Sequence, residues 1–151
     1  MYSTILVPID LAHGEVADRI LRLARHLGGE EAEIHAIYAL DPMPYFVAAQ
    51  IPEKVVETRA AESLAELETR AHGVDPRVIC GAHRGDSSTV ILREAERIGA
   101  DAIVLGSHVP ELKDYLLGST AARVVRHARC TVVVERQRPQ RAHSAKQGGP
   151  Q

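Results

Sequence analysis

Two glycine-containing turns bracket one stretch of this chain: Gly106-Ser107-His108, nine intervening residues, then Gly118-Ser119-Thr120. Residues of this kind at this spacing suit a cradle for phosphate. Gly106 follows the apolar run Ala102-Ile103-Val104-Leu105, as expected where a buried parallel strand releases its chain towards a ligand. With no Cβ, a glycine there lets backbone approach a phosphate closely. After Gly118, the residues Ala121, Val124, Val125 and Ala128 recur at helical spacing. Gly118, Ser119 and Thr120 therefore fall where backbone N–H groups lack helical acceptors and the helix dipole supplies roughly half a positive charge. Ser119 and Thr120 can donate hydroxyls to phosphate oxygens, or one of them caps the helix. His108 is either a donor over the phosphates or an exposed loop histidine. Lys113 and Asp114 read as a solvated loop or as a lid. Asp10, at the end of another apolar run, can accept from ribose hydroxyls, hold a metal that bridges phosphates, or shape a turn.

The elements that must position these residues alternate. Thr4 to Ile9 is a β-branched apolar strand, and Val16, Ile20, Leu23, Ala24 and Leu27 mark a helix stopped by Gly28-Gly29. A second strand over 33–40 is broken by Asp41-Pro42 and followed by a loop. From Glu53 to about His72 the pattern is helical, with Val56, Ala60, Leu64, Leu67 and Ala71 on one face and Gly73 as its stop. Arg77 to Cys80 reads as a short third strand, and a helix carrying Val90, Ile91, Ala95 and Ile98 ends at Gly99, capped at its start by Asp86 or Ser87. Asp101 to Leu105 and Thr131 to Glu135 supply strands four and five.

Alternation with helical crossovers predicts an α/β fold: a doubly wound, open, five-stranded parallel sheet in the order 3-2-1-4-5, with helices on both faces. In such sheets the ligand crevice lies beyond the carboxyl ends of the strands where the order reverses, between strands one and four. Asp10 and Gly106 end those two strands.

A chain of 151 residues, 45% hydrophobic, is long enough for one core and too short for two comfortable ones. The expected domain is 1–136, with the polar and basic stretch 137–151 as a disordered tail. A net charge of -2 and 3% aromatic content leave no electrostatic footprint and few stacking rings for nucleic acid. No apolar stretch reaches the roughly 18 residues needed to span a bilayer, and no signal-peptide pattern opens the chain, so a cytoplasmic protein is expected. Cys80 and Cys130 match neither a zinc spacing nor a redox pair, and the eight histidines form no His-x-x-x-His pair with an intervening acid, so no metal site is expected.

No P-loop pattern is present, nor a Gly-x-Gly-x-x-Gly after strand one. From Thr4 to Glu135 the chain instead resembles the universal stress protein family of the adenine-nucleotide α-hydrolase-like superfamily. The resemblance rests on Ile5-Leu6-Val7-Pro8-Ile9-Asp10, on Asp101 through Gly106-Ser107-His108, and on Leu116-Leu117-Gly118-Ser119-Thr120 through His127 to Val134. The ATP-binding branch reads Gly, two residues, Gly, nine residues, Gly-Ser/Thr. Val109 stands here in place of the middle glycine and the spacing is one residue shorter, as in a subgroup of small enterobacterial stress proteins. The resemblance implies that ATP or AMP is bound, with Mg²⁺ as a companion of ATP, by Pro8, Asp10, Ala39, Leu105, Gly106, Ser107, His108, Gly118, Ser119 and Thr120. Asp10 would face the ribose, the backbone of Ala39 would read the adenine edge and the glycine turns would hold the phosphates. A sensor or regulator is expected rather than a fast enzyme, because no P-loop lysine or compact acid and base pair stands out. The alternatives are a slow ATPase or autophosphorylating protein, with Ser119 or Thr120 as acceptor, and a nucleotide-free dimeric interaction module. Strand 131–135, a β-branched edge, is expected to pair across a two-fold axis in a homodimer.

Overall fold

A computed structural model describes residues 1–107 and 117–136. Strands β1 (Thr4–Pro8), β2 (Glu33–Leu40), β3 (Ile79–Arg84), β4 (Ala102–Ser107) and β5 (Thr131–Arg136) form one parallel sheet in the order β3-β2-β1-β4-β5. The expected winding is the observed one. Between the strands run helices α1 (Gly14–Gly28), the single turn α2 (Tyr45–Ala48), α3 (Glu53–Val74), α4 (Ser87–Ile98) and α5 (Ser119–His127).

Period-two alternation along the strands sorts the side chains between two cores. Ile5, Val7, Ile34, Ala36, Ala102 and Val104 pack beneath Val16, Ile20 and Ala24 of α1 and Leu67 and Ala71 of α3. Leu6, Ile37, Ile103 and Leu105 point the other way, under Val90 and Ile91 of α4 and Ala121 and Val124 of α5. Both faces of the central strands are covered, which is why those strands read as unbroken apolar runs.

Three boundaries differ from the sequence pattern. The third strand lies at 79–84 rather than 77–80, because Gly81, Ala82, His83 and Arg84 carry no apolar signal yet pair with β2 from His35↔Ile79 to Leu40↔Arg84. Val78 is buried just before the strand, in a turn whose N–H donates to the Asp75 carbonyl at 3.2 Å. The loop after β2 contains α2. Gly73 lies inside α3, which continues to Val74, and only Leu67 and Ala71 of its predicted apolar face are fully buried.

The amino ends of the strands are clamped by carboxylates. Asp101 accepts the N–H groups of Ser3 and Thr4 at 2.8 and 3.1 Å, pinning β4 to β1. Asp75, 7% exposed, accepts from Arg25 Nε of α1 at 2.7 Å and from the backbone and side chain of Arg77, both at 3.0 Å. The Arg77 side chain foremost, then its backbone N–H and Arg25, hold the Asp75 carboxyl at about 2, below its ordinary 3.8. A depressed folded-state value means that this stabilisation is present above the unfolded value and fades as pH falls through the folded one. Asp75→Ala takes from Arg25 its carboxylate partner, leaving it the Gly29 and Ala32 carbonyls, and is expected to cost about 3 kcal/mol at neutral pH. In urea denaturation the gap between wild type and variant should narrow as pH drops from 3.8 towards 2. A gap independent of pH would contradict the clamp.

Candidate functional site

At the opposite, carboxyl ends of the strands a cleft of about 400 Å³ opens over β2, β1 and β4. It forms because α1 leaves β1 towards β2 on one face of the sheet, whereas α5 leaves β4 towards β5 on the other. Pro8, Asp10, Ala39, Leu105, Gly106, Ser107, Gly118, Ser119 and Thr120 all line it. These residues come from four separate stretches of chain. His108, Val109, Lys113, Asp114 and Leu116 lie outside the described residues.

Of the roles open to it in sequence, Asp10 takes that of shaping a turn. Its Oδ1 accepts the Ala12 N–H at 2.9 Å, making the turn into α1, and its Oδ2 meets His13 Nδ1 at 2.7 Å. The carboxylate nevertheless stays 62% exposed at the cleft. At the other end, the N-cap of α5 is Gly118, so neither Ser119 nor Thr120 caps the helix; both lie in its first turn. The Gly118 carbonyl accepts the Ala122 N–H at 2.9 Å, and among the described residues no side chain takes the N–H groups before it. Two hydroxyls and an uncapped helix start thus line the same end of the cleft.

Gly106 has a different reason from the one its position in the sequence suggests. A Cβ built on it would meet Val16 Cγ1 at 2.6 Å and Ile20 Cγ2 at 3.6 Å, so the missing side chain leaves room for α1. Alternation along β4 decides this, because residue 106 shares its face with Val104, beneath α1. An ion pair of 3.0 Å between Arg19 of α1 and Glu135, the β5 residue paired with Gly106, holds the helix there.

Several lining residues carry no motif and escape sequence reasoning. His13, Val16, Ala17 and Ile20 come from α1, Tyr38 and Asp41 from the end of β2, and Ser87 and Ile91 from α4. Ser87 had a signal: of the two possible caps for α4, Asp86 takes the role. Its carboxylate accepts the Thr89 N–H at 3.1 Å, the Ser88 hydroxyl at 2.7 Å and the Thr89 hydroxyl at 3.1 Å. These bonds, the Ser88 hydroxyl first, hold the Asp86 carboxyl below its usual range. Burial pushes the Cys80 thiol up to about 11 and raises that of Cys130, so both are protonated thiols at neutral pH. Among the described residues no group of three or more His, Cys, Asp or Glu is arranged to hold a metal ion, and no helix is long and apolar enough to cross a membrane.

The model of the universal stress protein family matches residues 1–136. Universal stress protein G of Salmonella typhimurium is 32% identical over 145 residues, covering 90% of this chain and all of that protein. Among solved structures, a universal stress protein in complex with cAMP superposes with a TM-score of 0.65 at 19% identity, over 89% of this chain and 97% of that one. The universal stress protein from Archaeoglobus fulgidus in complex with dAMP gives 0.57 at 19% identity, over 88% and 97%. At such identities the structures share the fold with this chain.

If Gly106 makes room for α1, Gly106→Ala should destabilise the protein by about 1–3 kcal/mol through overpacking against Val16. In a double-mutant cycle with Val16→Ala, the two losses should fall short of additive, because the smaller residue 16 vacates the space. Strict additivity in chemical denaturation would return Gly106 to a role at the ligand alone.

Proposed function

We propose, for a chain that belongs to the universal stress protein family, that the cleft binds an adenine nucleotide, ATP or AMP, and that its occupancy serves a sensor or regulator in a stress response. The observation that carries this reading is the uncapped start of α5, with the Ser119 and Thr120 hydroxyls, in the same cleft as the exposed carboxylate of Asp10. Anionic phosphates complement the first, and ribose hydroxyls the second. Structures of the same fold in complex with cAMP and dAMP support an adenine ring as the base.

In this reading Gly118, Ser119 and Thr120, with the Gly106-Ser107 backbone and His108, hold the phosphates. Asp10 takes the ribose, Pro8 and Leu105 supply apolar wall, and the Ala39 backbone meets the base. Mg²⁺ arriving with ATP would be held mainly by phosphate oxygens, as this ion needs only one or two protein carboxylates, and Asp10 is the acid suited to it. Binding is favoured over turnover because Asp10 is already engaged by Ala12 and His13. The nucleotide-binding unit is residues 1–136, with 137–151 a polar basic tail, and the compartment is the cytoplasm, which cell fractionation checks. A homodimer along β5 is part of the same reading: Val132, Val133 and Val134 are only partly buried on a sheet edge. A monomer mass in light scattering would remove that element.

Heat-denatured protein should release an adenine nucleotide on chromatography, and calorimetry with added AMP or ATP should give saturable heat. Gly118→Val, which sets a side chain against the anion, should weaken binding at least tenfold, equivalent to about 1.4 kcal/mol. Protein that releases nothing and shows no heat with either nucleotide defeats the proposal.

A further inference from the structure

The cleft has a second polar margin, away from α5, where β2 and β3 run out side by side. The Leu40 carbonyl accepts the Gly85 N–H at 3.0 Å, joining the two strand ends. Asp41, next after Leu40, and Ser87, two residues after Gly85, are thereby brought to one margin of the cleft, which both line. The wall they share is apolar, from Ile37, Ala39 and Ile91. Strands β2 and β4 flank β1, so about 10 Å, two strand spacings, separate this margin from the end of β4. A nucleoside spans that distance between its base and its phosphate.

Competition for Asp86 explains why Ser87 is available. Three consecutive hydroxyls follow that carboxylate, and it accepts those of Ser88 and Thr89. The Ser87 hydroxyl has no hydrogen-bond partner among the described residues, and the half-buried residue lines the cleft; the Asp41 carboxylate likewise has no partner among them. A carboxylate that only accepts and a hydroxyl that can donate, set beside an apolar slot, complement a flat heteroaromatic ring with an N–H donor on its edge and a ring nitrogen as acceptor.

Resting on the nucleotide reading above, we propose that Asp41 and Ser87 select the base: Asp41 accepts a hydrogen bond from the exocyclic amine of an aminopurine, and the Ser87 hydroxyl donates to a ring nitrogen. The two roles differ in what they discriminate. Asp41 senses whether the amine is present, whereas Ser87 holds any purine.

The test compares AMP with purine-riboside 5′-monophosphate, which is AMP without the amine, by calorimetry on wild type, Asp41→Ala and Ser87→Ala. Wild type should prefer AMP by roughly tenfold, the worth of one charge-assisted hydrogen bond at an exposed acid. Asp41→Ala should bring that ratio close to one. Ser87→Ala should weaken both ligands several-fold and keep the ratio. Circular dichroism confirms folding of each variant. AMP binding whose preference over the amine-free ligand is absent in wild type, or survives Asp41→Ala intact, overturns this inference and leaves the nucleotide reading standing. Failure of wild type to bind either ligand overturns both.

Discussion

The reversal of strand order between β1 and β4 is the constraint from which the rest follows. Parallel strands need right-handed crossovers, so the helix leaving β1 for β2 and the helix leaving β4 for β5 must lie on opposite faces of the sheet. Their starts diverge at the carboxyl ends of the two central strands, and among the described residues no element fills the gap. The cleft is therefore a product of the winding, present before any side chain is chosen for a ligand. What the side chains add is polarity: an uncapped helix start at one end, carboxylates elsewhere and apolar wall between.

The carboxylate clamps and the cleft occupy opposite ends of the same strands. At the amino ends Asp101 ties β4 to β1, and Asp75 draws Arg25 and Arg77 together, so the strand starts and α1 are held by charge-assisted bonds. At the carboxyl ends the polar groups are fewer in mutual contact: the side chains of Ser87, Ser119, Thr120 and Asp41 bond to no described residue. A protein end with satisfied polar groups resists change, and one with hydroxyls and N–H groups turned to a cleft is equipped to bind. Gly106 connects the two demands, since it lets α1 lie close enough for Val16 and Ile20 to reach both the core and the cleft.

Membership of the universal stress protein family, matched over residues 1–136, accounts for the match between motif and cleft. Local hydrogen bonding sets His13 against Asp10 and leaves the Ser87 hydroxyl outside the bonds that Asp86 accepts from Ser88 and Thr89.

The sequence by itself determined the order of elements, because apolar periodicity of two and of 3.6 reports burial directly and glycines such as Gly28, Gly99 and Gly118 punctuate it. It also determined the winding, since short parallel crossovers leave few alternatives, and from the winding the meeting of Asp10 with Gly106 and Gly118. It misplaced β3, whose Gly81-Ala82-His83-Arg84 pairs through backbone alone, and it gave no sign of the packing of Gly106 against α1. Only the tertiary structure decided which of Asp86 and Ser87 caps α4, that Gly118 rather than Ser119 or Thr120 caps α5, and that Asp41, Tyr38 and Ser87 join one cleft. Periodicity along a chain records which face a residue is on. Which residues of distant segments share a space depends on strand register and helix placement, and those are set by contacts between segments.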